Sequence, residues 1–387
     1  MGKIKYLDGI RGVAALIVVF SHIAQIFYIS LITGIENTKH MPDGIETMIR
    51  STPLNLIYNG NFSVFIFFVL SGYVLSMKFI STKNASHLLN SGLQRYPRLA
   101  IPVLFSILLV YVIYSTIDFH YASIQSITMS DLVYEMVNNF SLQTAFTHGL
   151  FEVFWTGESQ YNPVLWTIRS ELFGSLLLFI LLYVLHFFKN IWIRALGYFL
   201  AIYFGLTHNE LPYMSFFIGS LICDFHLNYK DQLEKHLKYA SYLLITVGLY
   251  FGSYPYGGVE NTIYRFLYFQ SDIKLFWFYH MIGAALVLVG VLYCKPVQQF
   301  FSYTYFVFLG KISFALYLIH FPILLSLTSW LFMSFIGHVS YNGSVFYASL
   351  ITLPILLIAS YLFYLLFDKS TIRFLKGLHI PFSIKSR

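Results

Sequence analysis

Charge is scarce in this chain: Asp, Glu, Lys and Arg together make up 11% of 387 residues, against roughly a quarter in a soluble domain. An extensive solvated surface is excluded. Cysteine is scarcer, at two residues, Cys223 and Cys294. A disulfide framework is therefore excluded, and no bridge is expected between two cysteines that fall near helix ends on the reducing side of the expected topology. Other absences narrow the chemistry. No Cys/His set has zinc spacing, no glycine-rich loop of Walker type is present and no G-x-S-x-G elbow occurs, so no metal is expected. Internal repeats, low-complexity tracts and Pro/Ser linkers are also missing, so 1–387 reads as a single domain with a short basic cytoplasmic tail over 368–387.

Long apolar runs dominate instead. Hydrophobic residues reach 57% and the mean hydropathy is +0.67. A hydrocarbon core about 30 Å thick takes about 20 apolar residues per helix. Ten such windows lie near 12–31, 62–80, 99–117, 171–188, 192–206, 212–224, 239–252, 275–293, 312–332 and 345–367, the sixth and seventh being short. The runs are unbroken rather than alternating, which favours helices over a barrel. The expected fold is an all-α membrane protein, a bundle of about ten transmembrane helices with both termini cytoplasmic. That map puts 19 basic and 5 acidic residues on the cytoplasmic side and 5 basic and 12 acidic outside, as the positive-inside rule requires. The formal net charge of +7 is then accounted for by topology and anionic membrane lipids, and no nucleic-acid partner is implied. The run after Met1–Tyr6 has no small-residue cleavage site and is expected to stay as the first span. Two outer loops are long enough to carry function: 32–61, with Glu36, Asp43 and Glu46, and 118–162, with Asp118, Asp131, Glu135, Glu152 and Glu158. Aromatic residues, 20% of the chain, suit interface belts and also sugar-stacking surfaces.

Ionisable residues inside such spans are costly and usually face a bundle interior or a wet cavity. In LDGIRGVAALIVVFSH the eleven-residue step from Arg11 to His22 returns to nearly the same helix face and rises about 16 Å, from the cytoplasmic interface to mid-membrane. Arg11 snorkelling to headgroups and His22 bonding a neighbouring helix are the plainer alternatives. In LQRYPRLAIPVL, Pro97 suits a first helical turn, so Arg95 and Arg98 would flank a helix N-terminus suited to phosphate; the positive-inside rule alone also explains two basic residues there. In NPVLWTIRSELF, Arg169 and Glu171 lie at the outer end of the fourth span. Two residues apart, they do not face each other, so Glu171 should look inward for another partner. In GKISFALYLIHFP, His320 also reaches mid-membrane depth, as a packed core residue or a functional one, and Pro322 beside it loosens the helix and frees a carbonyl.

Taken together these stretches resemble the acyltransferase-3 family of integral-membrane acyltransferases. The resemblance is carried by Leu7, Asp8, Gly9, Arg11, Gly12, Ala14, Ala15 and His22, then Phe67, Phe68, Ser71, Gly72 and Tyr73, and the pair Arg95 and Arg98. It continues through Trp166, Thr167 and Glu171, and then Ser313, Phe314, Tyr317, Leu318, His320 and Pro322. It covers nearly the whole length and implies a stand-alone form without the C-terminal esterase-like domain of many relatives. It implies a ten-span enzyme of the cell membrane, as in a bacterial inner membrane, moving an acyl group, commonly acetyl, from cytoplasmic acyl-CoA to a hydroxyl, often of a cell-surface glycan or lipid-linked sugar. Arg11, His22, Arg95 and Arg98 belong to the implied functional set. On this basis His22 is the expected base, with Glu171 orienting it or the acceptor. Arg11, Arg95 and Arg98 are expected on the phosphates of acetyl-CoA, and Asp8, Ser71, Trp166, Tyr317 and His320 in support. A transporter or flippase of a sugar or lipid-linked substrate is the alternative, since buried ionisable residues also mark transport pathways; the absence of repeated halves speaks against it.

Overall fold

The computed structural model describes residues 4–42, 44–130, 140–260 and 262–377. Asp43, Asp131, Glu135 and the tail beyond Gly377 lie outside the described residues, as does the side chain of Glu36. In a membrane every backbone N–H and C=O must be satisfied within the segment, and the apolar runs accordingly fold as helices: α1 (Lys5–Phe27), α2 (Gly60–Thr82), α3 (Ser86–Thr116), α4 (Trp166–Leu185), α5 (Ile191–Thr207), α6 (Leu211–Gly252), α7 (Leu275–Tyr293), α8 (Thr304–Ile323) and α9 (Tyr341–Phe363). Shorter helices fill the connections. Side-chain caps mark several starts: Asn59 accepts from the Phe62 amide, Asn190 from Trp192 and Ser340 from Gly343.

Seven helical segments among the described residues are long and apolar enough to cross a membrane, and the chain is an all-α, multi-pass integral membrane protein. Each of the ten expected windows falls on helix, with two departures from the sequence map. The polar stretch expected to turn between 224 and 239 is helical, so α6 runs for 42 residues and breaks only at Tyr229, whose φ of −132° is outside the helical range. The second departure concerns Arg95 and Arg98. Pro97 does not open α3; the helix begins at Ser86, and Pro97 and Pro102 both lie inside it. Helix-compatible polar residues such as Ser86, Asn90 and Gln94 extend α3 backwards, so Arg95 sits about 13 Å along the helix and not among free amides at its start.

Close approach of α1 and α8 positions the site. A Cβ on Gly12 would lie 2.5 Å from the Gly310 nitrogen, and one on Gly310 would lie 1.9 Å from the Asp8 carbonyl oxygen. Only hydrogen fits, so the two backbones nearly touch. Both helices then rise ten residues, about 15 Å, to His22 and His320, whose rings meet at a centroid distance of 4.9 Å. Equal rise from one contact to the next identifies α1 and α8 as a parallel pair. Pro322 ends the regular part of α8. Its missing N–H leaves the Leu318 carbonyl without its usual partner, and Asn162 donates to that oxygen at 2.8 Å. A π turn follows over Leu324–Thr328, matching the local loosening expected from the proline.

Candidate active site

His320 is fully buried. Its Nδ1 lies 3.0 Å from the Leu316 carbonyl and 2.9 Å from that of Tyr317. Carbonyl oxygens only accept, so in the neutral ring Nδ1 carries the proton and Nε2 the lone pair. That Nε2 lies 3.1 Å from Nδ1 of His22, which is also 2.9 Å from the Val18 carbonyl. Both neighbours of His22 Nδ1 are acceptors, so this nitrogen is protonated as well. The lone pair of His22 is left on Nε2, which has no hydrogen-bond partner among the described residues. Two histidines that the sequence treats separately thus form one array, in which His320 and Val18 fix the tautomer of a half-buried His22.

His22 lines a cavity of about 590 Å³ together with Ser21, Gln25, Arg50, Asn59, Trp166, Trp277 and His280. A second cavity, of about 270 Å³, is lined by Arg11, Ser71, Arg95, Arg98, Thr167 and Glu171. Val64 and Tyr317 line both. Tyr317 donates to the Val164 carbonyl at 2.6 Å and lies 2.9 Å from the Thr167 hydroxyl, so it stands braced where the two spaces meet.

The smaller cavity gathers residues from five helices, α1, α2, α3, α4 and α8. Arg95 pairs with Glu171, its Nε also donating to Ser175 at 2.8 Å; Glu171 in addition accepts from Ser71 at 3.1 Å. The inward partner expected for Glu171 is therefore Arg95, and neither of its hydrogen bonds goes to a histidine. Arg169 instead lies over the Phe173 ring. Arg98 pairs with Asp368. Arg11 differs from both: its polar contact is Ser71, at 3.4 Å, and no carboxylate among the described residues lies within 4 Å of it. Of three guanidiniums at this cavity, Arg11 is the one without an ion pair among the described residues, the carboxylates of Glu171 and Asp8 acting on it only from beyond contact distance. Asp8 belongs to neither cavity lining and meets Gly310 through its main chain.

Several lining residues went unremarked in the sequence. His280, 2% exposed, lies 3.2 Å from Asn61 Oδ1 and 3.0 Å from the Tyr254 carbonyl through its two nitrogens. Arg50 and Lys274 line the larger cavity too. A signal for the last two was present: both are basic residues in segments that the positive-inside rule leaves poor in them. Nothing in the sequence marks Trp277, which stacks on Trp166 at 5.5 Å with the rings 15° from parallel.

A family model described as an acyltransferase domain matches residues 4–368. The chain belongs to the acyltransferase-3 family. Among curated relatives it is 24% identical to "Acyltransferase R4" of a Phoma species, over 84% of this chain and 84% of that protein. It is 24% identical to "Acyltransferase clz18" of Cochliobolus lunatus, over 86% of each. To "O-acetyltransferase PaAT-1" of Phomopsis amygdali it is 26% identical, over 82% of this chain and 72% of that protein. No solved structure matches it. The protein is a membrane-embedded O-acyltransferase, and the transport alternative gives way to this.

Proposed function

We propose that the enzyme moves an acetyl group from cytoplasmic acetyl-CoA to a hydroxyl of a glycan or other acceptor on the far side of the membrane. One observation carries this reading: a cavity with a guanidinium that makes no ion pair among the described residues adjoins a cavity with an imidazole whose Nε2 has no hydrogen-bond partner among them, and Val64 and Tyr317 belong to both walls. A thioester donor with phosphates fits the first space, and an alcohol fits the second. The name of the Phomopsis relative supports acetyl as the group moved and oxygen as its destination.

In this mechanism Arg11 supplies the free positive charge for the phosphates of the donor, with Arg98 at the same cavity. Glu171 holds Arg95 in position and is not the acid or base. The acceptor hydroxyl loses its proton to His22 Nε2 as its oxygen attacks the thioester carbonyl. The tetrahedral intermediate collapses by breaking the C–S bond, and the proton on Nε2 passes to the departing thiolate, which restores the neutral imidazole. His320 accepts from His22 Nδ1–H throughout and steadies the imidazolium that forms transiently. The test replaces His22. His22→Ala is expected to abolish thiol release from acetyl-CoA in the presence of acceptor while the protein remains folded in the membrane; normal transfer by that variant removes His22 from the mechanism.

A further inference from the structure

The larger cavity holds positive charge that acyl transfer does not itself require. Arg50, at the end of the short helix Ile45–Arg50, is only 9% exposed. Its Nη2 donates to the Gly257 carbonyl, and among the described residues its Nε has no hydrogen-bond partner and no carboxylate lies within 4 Å of it. Two glycines clasp the guanidinium. Gly34, at φ 77°, and Gly258, at φ 62°, have the left-handed backbone that side chains resist; a Cβ on Gly34 would lie 2.7 Å from Arg50 Cζ, and one on Gly258 would lie 2.8 Å from Nη2. Lys274 stands at the exposed rim, 4.6 Å over the Trp277 ring. No Asp or Glu among the described residues lines this cavity.

Further polar atoms on the same lining residues are unpaired. Asn55 Oδ1, Tyr254 OH and Trp277 Nε1 are buried without a hydrogen-bond partner among the described residues. Burial pushes the Tyr254 phenol up to about 12, so it stays a neutral hydroxyl. A desolvated guanidinium without a countercharge is costly, and so is each unpaired buried donor or acceptor. A bound molecule that brings an anion to the guanidinium relieves the largest of these costs.

Building on the acyl-transfer reading, we propose that the acceptor is an anionic hydroxyl compound, a carboxylate- or phosphate-bearing alcohol whose charged group is held by Arg50, with Lys274 at the entrance and the Trp166–Trp277 pair as a stacking wall. Its reacting hydroxyl points to His22 on another wall of the same cavity. A site built around an unpaired cation rejects neutral analogues strongly, because the neutral ligand leaves the cation desolvated and alone.

The test uses the full chain in lipid nanodiscs and reads tryptophan fluorescence on titration with glucose, glucuronate or glucose 6-phosphate at matched ionic strength. At least one anionic probe is expected to bind about tenfold more tightly than glucose or better, and whichever it is distinguishes carboxylate from phosphate. Arg50→Gln is expected to erase the preference. Equal affinity for all three probes, no binding of either anion, or a preference that survives Arg50→Gln overturns the proposal. The last outcome would assign Arg50 to bracing the loops at Gly34 and Gly257. If Arg50→Gln does not fold, Arg50→Lys decides: loss of the planar fork should weaken the anionic probe by about threefold or more, and an unchanged affinity overturns the proposal. Thiol release from acetyl-CoA is measured separately on the same protein, so failure of acyl transfer is distinguished from failure of anion recognition.

Discussion

Gly12→Ala offers a sharp test of the histidine array, because it touches neither histidine. The added Cβ would lie 2.5 Å from the Gly310 nitrogen, 2.6 Å from Leu309 Cβ and 2.7 Å from the Phe306 carbonyl oxygen. Non-bonded carbon contacts settle at about 3.5–4.0 Å, so α1 and α8 must separate by about 1 Å. Ten residues further along, the His22–His320 contact stands at 3.1 Å. Adding about 1 Å takes it beyond hydrogen-bonding range. His22 then keeps only the Val18 carbonyl as a hydrogen-bond partner among the described residues. A displacement of about 1 Å in a catalytic group costs on the order of 100-fold in rate, and that is the fall in kcat expected here. The assay is thiol release from acetyl-CoA by protein in nanodiscs, with Gly92→Ala as control, since a Cβ there meets nothing closer than 3.8 Å. Full kcat in folded Gly12→Ala would refute the claim that the glycine crossing sets the histidine geometry.

Three further predictions concern separate parts of the molecule. Arg11→Gln removes the guanidinium that has no carboxylate partner, so the acetyl-CoA KM should rise about tenfold with kcat much less affected; an unchanged KM in a donor titration would count against donor binding at Arg11. Glu171→Gln leaves Arg95, whose side chain is 14% exposed, as a largely desolvated lone cation. About 3–5 kcal/mol of stability should be lost, seen as a lower Tm and partly recovered by adding Arg95→Met; an unchanged Tm would refute it. His148, 1% exposed and 2.8 Å from Glu152, has its pKa lowered by burial, against the pull of Glu152. The unfolded segment takes up a proton near pH 6.5 and the folded one resists it, so stability is complete above that value and declines as pH falls through it toward the lowered native pKa. Hydrogen-exchange protection over 142–155 should therefore be lower at about pH 5.5 than at about pH 7, and His148→Gln should abolish the difference; equal protection in the native protein at both values would be the contrary result.

How much of the site was legible varies with what each residue must do. The depth of His22 and His320 follows from counting 1.5 Å per residue along a helix, so both could be assigned to mid-membrane without coordinates. The inward search of Glu171 for a partner is likewise a matter of helix phase. That the partner is Arg95 is not, because it depends on where α3 begins, and a proline one residue beyond Tyr96 imitates a helix start. The Leu318 carbonyl freed by Pro322 could be foreseen, but Asn162, which satisfies it, lies 156 residues away in sequence.

Hydropathy, charge asymmetry and motif order determined the class of protein: an apolar chain in lipid has helices as its solution, because only they satisfy the backbone internally. They also picked out the residues around which acyl transfer is built. Tertiary structure alone decided which cations form ion pairs. Arg95 and Arg98 each form an ion pair with a carboxylate from a distant helix, while among the described residues Arg11 and Arg50 form none. Compensation of charge is a property of distances between side chains brought together by packing, and helix periodicity within one segment does not contain it.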